Sequence, residues 1–161
     1  MGEQGDGGKA ELERMDRSEP LEDSPRREGF RFSHPLRVRW AEVDGQRIVY
    51  NANYLMYMDI AYGEYLRREL GLSAGFPSTV MAKTTLEYRR PIEFDNEIRV
   101  WVRTSRIGSS SMTVDFAITR DAEVMMEAQT VYVYVDASGA SAPVPQEWRE
   151  KLAEYEPGLQ G

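Results

Sequence analysis

The sequence predicts an α+β domain in which a five-stranded antiparallel sheet wraps around one long central helix, with a short helix added near the C-terminus. Three observations carry this prediction. One strand-like run precedes a single long helical segment, four strand-like runs with turn-rich connections follow it, and the first half of the long helix is apolar on almost every side. A helix of that kind must be enclosed rather than laid on a surface. Its own sheet is expected to cover one side and a second copy of the chain the other, giving a homodimer or a homotetramer of two dimers. At 161 residues the chain is long enough to bury a core without disulfides or metals.

The elements follow in order. Residues 1–30 hold four glycines in the first eight positions and only six apolar side chains, too few to offset the entropy of ordering them. They read as a disordered acidic tail, ahead of a domain over 31–156 and a flexible end at 157–161. In the first strand Phe32, Leu36, Val38 and Trp40 share one parity, with Arg37 and Arg39 between them. A polar connection from Glu42 to Arg47 leads into a helix ending near Leu70. Asn51 or Asn53 is expected as its N-cap, Gly71 as its left-handed C-terminal residue, and Leu72 as packing back on the last turn. Beyond a turn region at Ser73 to Ser78 come runs at Val80–Arg90, Glu97–Ile107, Ser111–Arg120 and Val124–Asp136. The third alternates cleanly, with Met112, Val114, Phe116 and Ile118 on one face. In the fourth, Val131 to Val135 is apolar on both faces and suits an interior strand. Short connections predict that consecutive strands in this group are antiparallel neighbours. After Pro143 and Pro145, Gln146 to Tyr155 reads as the short helix.

Composition narrows the chemistry. No cysteine and a single histidine, His34, exclude Cys/His zinc sites, iron–sulfur sites and Cys/His nucleophilic pairs, and no cofactor is called for. The formal charge of −7 disfavours nonspecific binding to nucleic acid or an anionic membrane. The first 30 residues carry five basic and nine acidic side chains, a net of −4, which leaves −3 for the remainder. With no apolar run of membrane-spanning length and no signal peptide, a cytoplasmic protein is expected. What remains is carboxylate chemistry. Asp44 stands seven residues before Asn51, at the start of an enclosed helix. Open amides there would polarise a carbonyl group, and a nearby carboxylate could attack it or activate water. Turn chemistry at an Asp-Gly pair is the plain alternative.

The segment Val43-Asp44 with Ile48-Val49-Tyr50-Asn51-Ala52-Asn53-Tyr54 resembles the signature of the hotdog-fold acyl-CoA thioesterases of the 4-hydroxybenzoyl-CoA thioesterase type, including the group associated with the Tol-Pal system. Further matches are Tyr88-Arg89-Arg90-Pro91-Ile92 with Asp95, and Arg106-Ile107-Gly108-Ser109-Ser110-Ser111; together they span about Phe32 to Tyr155. The resemblance implies hydrolysis of a thioester to a carboxylic acid and free CoA, with Asp44 as the catalytic carboxylate and the Asn51 backbone N–H as the polarising donor. It implies that Arg106 to Ser111, with Arg89 and Arg90 of a neighbouring subunit, hold the CoA phosphates and pantetheine; Arg47 and Tyr50 complete the candidate substrate-binding set. Some members use a helix carboxylate instead, which makes Glu64 a secondary candidate. An acyl carrier protein could replace CoA as the acyl donor. Three departures stand out: Glu42 replaces the first aspartate of the usual D-x-D, Arg47 replaces the usual glycine, and Asn51 stands where a histidine is often found, a change that leaves its main-chain polarising role intact. A noncatalytic acyl-binding or scaffolding module, and a hydratase, are the rival readings.

Overall fold

The computed structural model describes residues 27–71 and 78–161. Its elements are β1 (Phe32–Arg37), a single 3-10 turn (Trp40–Glu42), α1 (Asn51–Arg68), β2 (Thr79–Tyr88), β3 (Glu97–Ile107), β4 (Ser111–Arg120), β5 (Glu123–Tyr134) and α2 (Gln146–Tyr155). The five strands form one antiparallel sheet in the order β1-β3-β4-β5-β2. The α+β architecture expected from the sequence is therefore present, with β5 in the interior. Leu72 and residues 73–77 lie outside the described residues.

One expected adjacency is overturned. β2 and β3 are consecutive but not neighbours: β2 pairs with β5, and β3 lies between β1 and β4. The connection between them crosses the end of the sheet instead of turning back. Its backbone bonds trace the route, with Arg89 N–H on Met125 O, Ile92 O taking the Val49 N–H, and Asp95 N–H on Val38 O. This crossing brings β1, β5 and the entry to α1 together at one end of the molecule.

The buried side chains of α1 are Tyr54, Tyr57, Met58, Ala61, Tyr62, Tyr65 and Leu66. Their spacing of three and one draws a single stripe along the helix, which packs on the sheet. Met112, Val114, Phe116 and Ile118 are all buried on the core face of β4, as their alternation predicts. The stripe is rich in tyrosines, and their hydroxyls need partners. Tyr65 donates to Glu156 Oε1 at 2.6 Å and lies 3.2 Å from Thr104 Oγ1, while Tyr62 stacks on Tyr132 with centroids 4.2 Å apart. Ile60, on the other side of α1, is exposed in the single chain. So too are Val80, Met81 and Tyr88 along the unpaired edge of β2.

The described residues are tied to the sheet at both of their ends. Residues 27–30, assigned to the tail, lie against the outer face of the sheet. Arg27 pairs with Glu127 at 3.0 Å, Arg103 donates to Gly29 O at 3.2 Å, and Phe30 meets Trp101 edge-on. At the other end, within residues 157–161, Gln160 accepts from Ile107 N–H at 2.8 Å and donates to Ser105 O at 3.0 Å, alongside the end of β3. Among the described residues no helix is long and apolar enough to cross a membrane.

Candidate active site

The chain between β1 and α1 folds back on itself as a small hairpin. Val43 and Val49 form an antiparallel bridge, Asp44 N–H donates to Ile48 O at 2.9 Å, and Tyr50 N–H donates to Glu42 O at 2.9 Å. Asp44 thus stands opposite Ile48, on an extended arm that leads three residues later to Asn51, a separation of roughly 11 Å by extended-chain geometry. Asp44 is half-buried, and its Oδ1 accepts the Gln46 N–H at 2.7 Å. This is an Asx turn, so the turn chemistry considered from sequence is real, and it holds the carboxylate in place.

Neither asparagine caps the helix. The N-cap is Tyr50, in extended conformation and with no side-chain cap, while Asn51 is the first helical residue. Asn53 is used elsewhere: its Nδ2 donates to Glu42 O at 2.7 Å. The backward bond from Tyr50 to Glu42 fixes the chain's entry without a capping side chain; Asn53 N–H is taken by Tyr50 O at 2.8 Å, and the Asn51 and Ala52 amides ahead of it keep their outward-facing dipoles. That end of α1 can receive a carbonyl oxygen or an anion.

Glu42 is buried beneath this hairpin. Tyr57 donates to its Oε2 at 2.7 Å, Arg39 N–H to the same oxygen at 2.9 Å, and Arg39 Nε to Oε1 at 2.6 Å. Burial pulls its pKa upward, but the Arg39 and Tyr57 hydrogen bonds and the Arg39 charge outweigh it and hold the group below the usual glutamate value. In the sequence Glu42 stands out only as a departure from a pattern; its enclosure by Arg39 and Tyr57 is not visible in a polar linker.

Arg47 adopts φ 64°, the left-handed region, and its side chain is exposed. A residue without a Cβ occupies that conformation freely, whereas an arginine bears about 1 kcal/mol of strain. Replacing Arg47 by Gly is therefore expected to raise unfolding stability by about 0.5 kcal/mol, the rest being offset by the freer unfolded chain. Arg47→Ala keeps the strain and gains nothing. Urea denaturation distinguishes the two; a less stable glycine variant contradicts this account.

The other sequence candidates separate into two groups. Arg89 and Arg90 lie on the crossing segment, at the same end as Asp44, and both have acidic partners: Arg89 pairs with Glu87 and with Glu127, and Arg90 with Glu123 at 2.7 Å. Tyr50 is exposed at the helix entry. Arg106, Ser109, Ser110 and Ser111 are at the opposite end. β3 runs from Glu97, paired with Arg37, to Ile107, so its length alone sets them about 33 Å away. There Arg149 of α2 ties the carbonyls of Gly108 and Ser109. Glu64 is likewise remote, thirteen residues along α1 from Asn51 and hence about 20 Å. It pairs with Arg67 at 2.6 Å, which holds its pKa down, and His34 of β1 is near it. One protomer therefore joins Asp44, Asn51, Tyr50 and Arg47, and leaves Glu64 and the β3–β4 hairpin away from them.

Two cavities among the described residues, about 530 and 580 Å³, lie elsewhere: one beside Phe30, Arg31 and Glu156, the other on the outer face of the sheet by Arg27 and Arg89. Among the described residues no group of three or more His, Cys, Asp or Glu side chains converges as a metal site.

Known proteins with the same plan fit this geometry. A thioesterase from Thermus thermophilus, solved in complex with coenzyme A and Zn, superimposes with a TM-score of 0.75 at 30% identity, covering 81% of this chain and 98% of that one. The acyl-CoA thioester hydrolase YbgC of Escherichia coli is 28% identical over 110 residues, which are 65% of this chain and 82% of YbgC. A 1,4-dihydroxy-2-naphthoyl-CoA thioesterase from Synechocystis shares the fold, with a TM-score of 0.68 at 21% identity over 76% of this chain and 96% of that one. The model of the thioesterase-like superfamily matches residues 38–152, from the end of β1 to α2. With four of its five strands, its central helix and the Asp44 hairpin inside that match, the chain belongs to the thioesterase-like superfamily.

Proposed function

We propose that this protein hydrolyses an acyl-CoA thioester to a carboxylic acid and free CoA, using Asp44 and the N-terminal amides of α1. The observation that carries the reading is the hairpin at residues 42–50, which returns the chain so that a fixed carboxylate stands beside an uncapped helix start. A thioester carbonyl docked on the Asn51 N–H gains oxyanion stabilisation as it becomes tetrahedral. Asp44 then acts in one of two balanced ways. It can attack the carbonyl carbon, expelling CoA thiolate and forming a mixed anhydride that water hydrolyses; or it can take a proton from water, whose oxygen attacks while the thiolate leaves. Both routes use the same two groups.

The hairpin also favours the 4-hydroxybenzoyl-CoA thioesterase type, in which the linker supplies the carboxylate. Glu64 is bound to Arg67 and lies far along the helix. The same chemistry accommodates an acyl carrier protein as donor, and a CoA-dependent reaction suits a cytoplasmic enzyme.

The working form we propose is at least a homodimer joined along β2. Val80 and Tyr88 are each 50% exposed on that unpaired edge, and Ile60 of α1 is exposed as well. Two-fold pairing along β2 is antiparallel, so the start of one β2, near Tyr134 and the Ser110 turn, lies beside the Tyr88 end of the other. The partner's β3–β4 hairpin is in this way carried toward the Asp44 end, where Arg89 and Arg90 stand. Sedimentation at micromolar concentration is expected to give twice the chain mass or four times it; a stable monomer with full activity contradicts the arrangement. Thiol release from a panel of short, long and aromatic acyl-CoAs tests the activity.

A further inference from the structure

Glu42 is 5% exposed, and a carboxylate so placed is costly unless its lone pairs are used. Both of its oxygens are engaged, by the amide and guanidinium of Arg39 and by the Tyr57 hydroxyl. Its own carbonyl receives the Tyr50 N–H and the Asn53 side-chain N–H. One residue thus holds the end of the β1 segment, the cap of α1, its first turn and its second turn, and Asp44 is two positions further on. An apolar side chain could fill the same volume without the desolvation penalty. What the carboxylate adds is direction, because hydrogen-bond donors are held at fixed angles around it and around its carbonyl.

We propose that Glu42 is a positioning residue for thioester hydrolysis, clamping the Asp44 hairpin to the start of α1 so that the Asp44 carboxylate and the Asn51 amide address the same carbonyl group. The inference rests on the thioesterase reading above, and Glu42 itself touches no substrate. Small displacements of a polarising donor or a nucleophile lower turnover far more than ground-state binding, because only the transition state needs the full alignment. Tyr57 belongs to the clamp, since its hydroxyl is the helix side of the bond.

The test uses the full chain and the acyl-CoA that it hydrolyses fastest, with Glu42→Gln, Tyr57→Phe, the double variant and Glu42→Asp. Each of the first two is expected to lower kcat about tenfold with KM within about twofold. The double variant falls little further than the worse single one, because both side chains belong to one hydrogen-bonded clamp whose alignment either change loosens. Glu42→Asp, which keeps the charge on a shorter arm, falls between wild type and Glu42→Gln. Calorimetric titration with a non-hydrolysable thioether analogue of that acyl-CoA is expected to give unchanged affinity and stoichiometry, a result that loss of folded protein would not leave intact. A kcat within about twofold of wild type in Glu42→Gln, or a kcat loss matched by an equal loss of binding sites, overturns the positioning role while leaving the thioesterase reading standing. No turnover by the wild-type chain across the panel overturns both.

Discussion

Replacing Asp44 by Asn is expected to lower acyl-CoA turnover by about a hundredfold or more without unfolding the protein. The amide is isosteric, and its Oδ1 can still accept the Gln46 N–H that the carboxylate takes at 2.7 Å, so the turn survives. What disappears is the charge that attacks the carbonyl or takes the proton from water. Asp44→Ala removes the turn contact as well and is expected to be at least as inactive. If thiol release by Asp44→Asn stays within a few-fold of wild type, the carboxylate is serving the turn alone and another group carries the reaction.

The largest effect on stability is expected at Phe116, replaced by Ala. This ring is 2% exposed and sits mid-sheet on β4, in register with Val102 of β3 and Ala128 of β5. Ala128 leaves room that the ring fills, so truncation opens a cavity that neither neighbouring strand can close without breaking its ladder. A loss of about 3–5 kcal/mol follows from the removed apolar surface and the remaining void. Against a typical total of about 5–15 kcal/mol, that brings the domain close to unfolding at growth temperature. Urea denaturation measures it directly. A loss under about 1 kcal/mol means that the core repacks around the gap, contrary to the close packing described.

The sheet was largely legible because its residues alternate. Met112, Val114, Phe116 and Ile118 announce a core face by parity alone, and Val131 to Val135 announces an interior strand. Periodicity reports which side of a strand is buried but not which strand lies next to it, so the β2–β3 connection reads as a hairpin when it crosses the sheet. The site was legible in part for the same reason. An aspartate in a glycine-containing turn before a helix can be read directly, and so can the resemblance it carries. The burial of Glu42 could not be read, because it comes from Arg39 and Tyr57 closing over a linker that looks polar. Nor could the capping by Tyr50, which depends on a backbone bond to Glu42 rather than on a side chain with capping propensity. The β3–β4 hairpin is recognisable by its Arg and Ser residues, but strand length sets it at the far end of the protomer, and it is the proposed dimer that would bring it toward the Asp44 end.

Whether the Asp44 hairpin belongs to an enzyme is decided by the release of free thiol by the purified wild-type chain from short, long and aromatic acyl-CoAs, run beside calorimetric binding of the same compounds to the Asp44→Asn variant. Turnover of at least one class by the wild type is expected, with binding of that class and no thiol release by the variant. Tight binding with no thiol release by the wild type across the whole panel contradicts this, and would make the Asp44 hairpin part of an acyl-binding module.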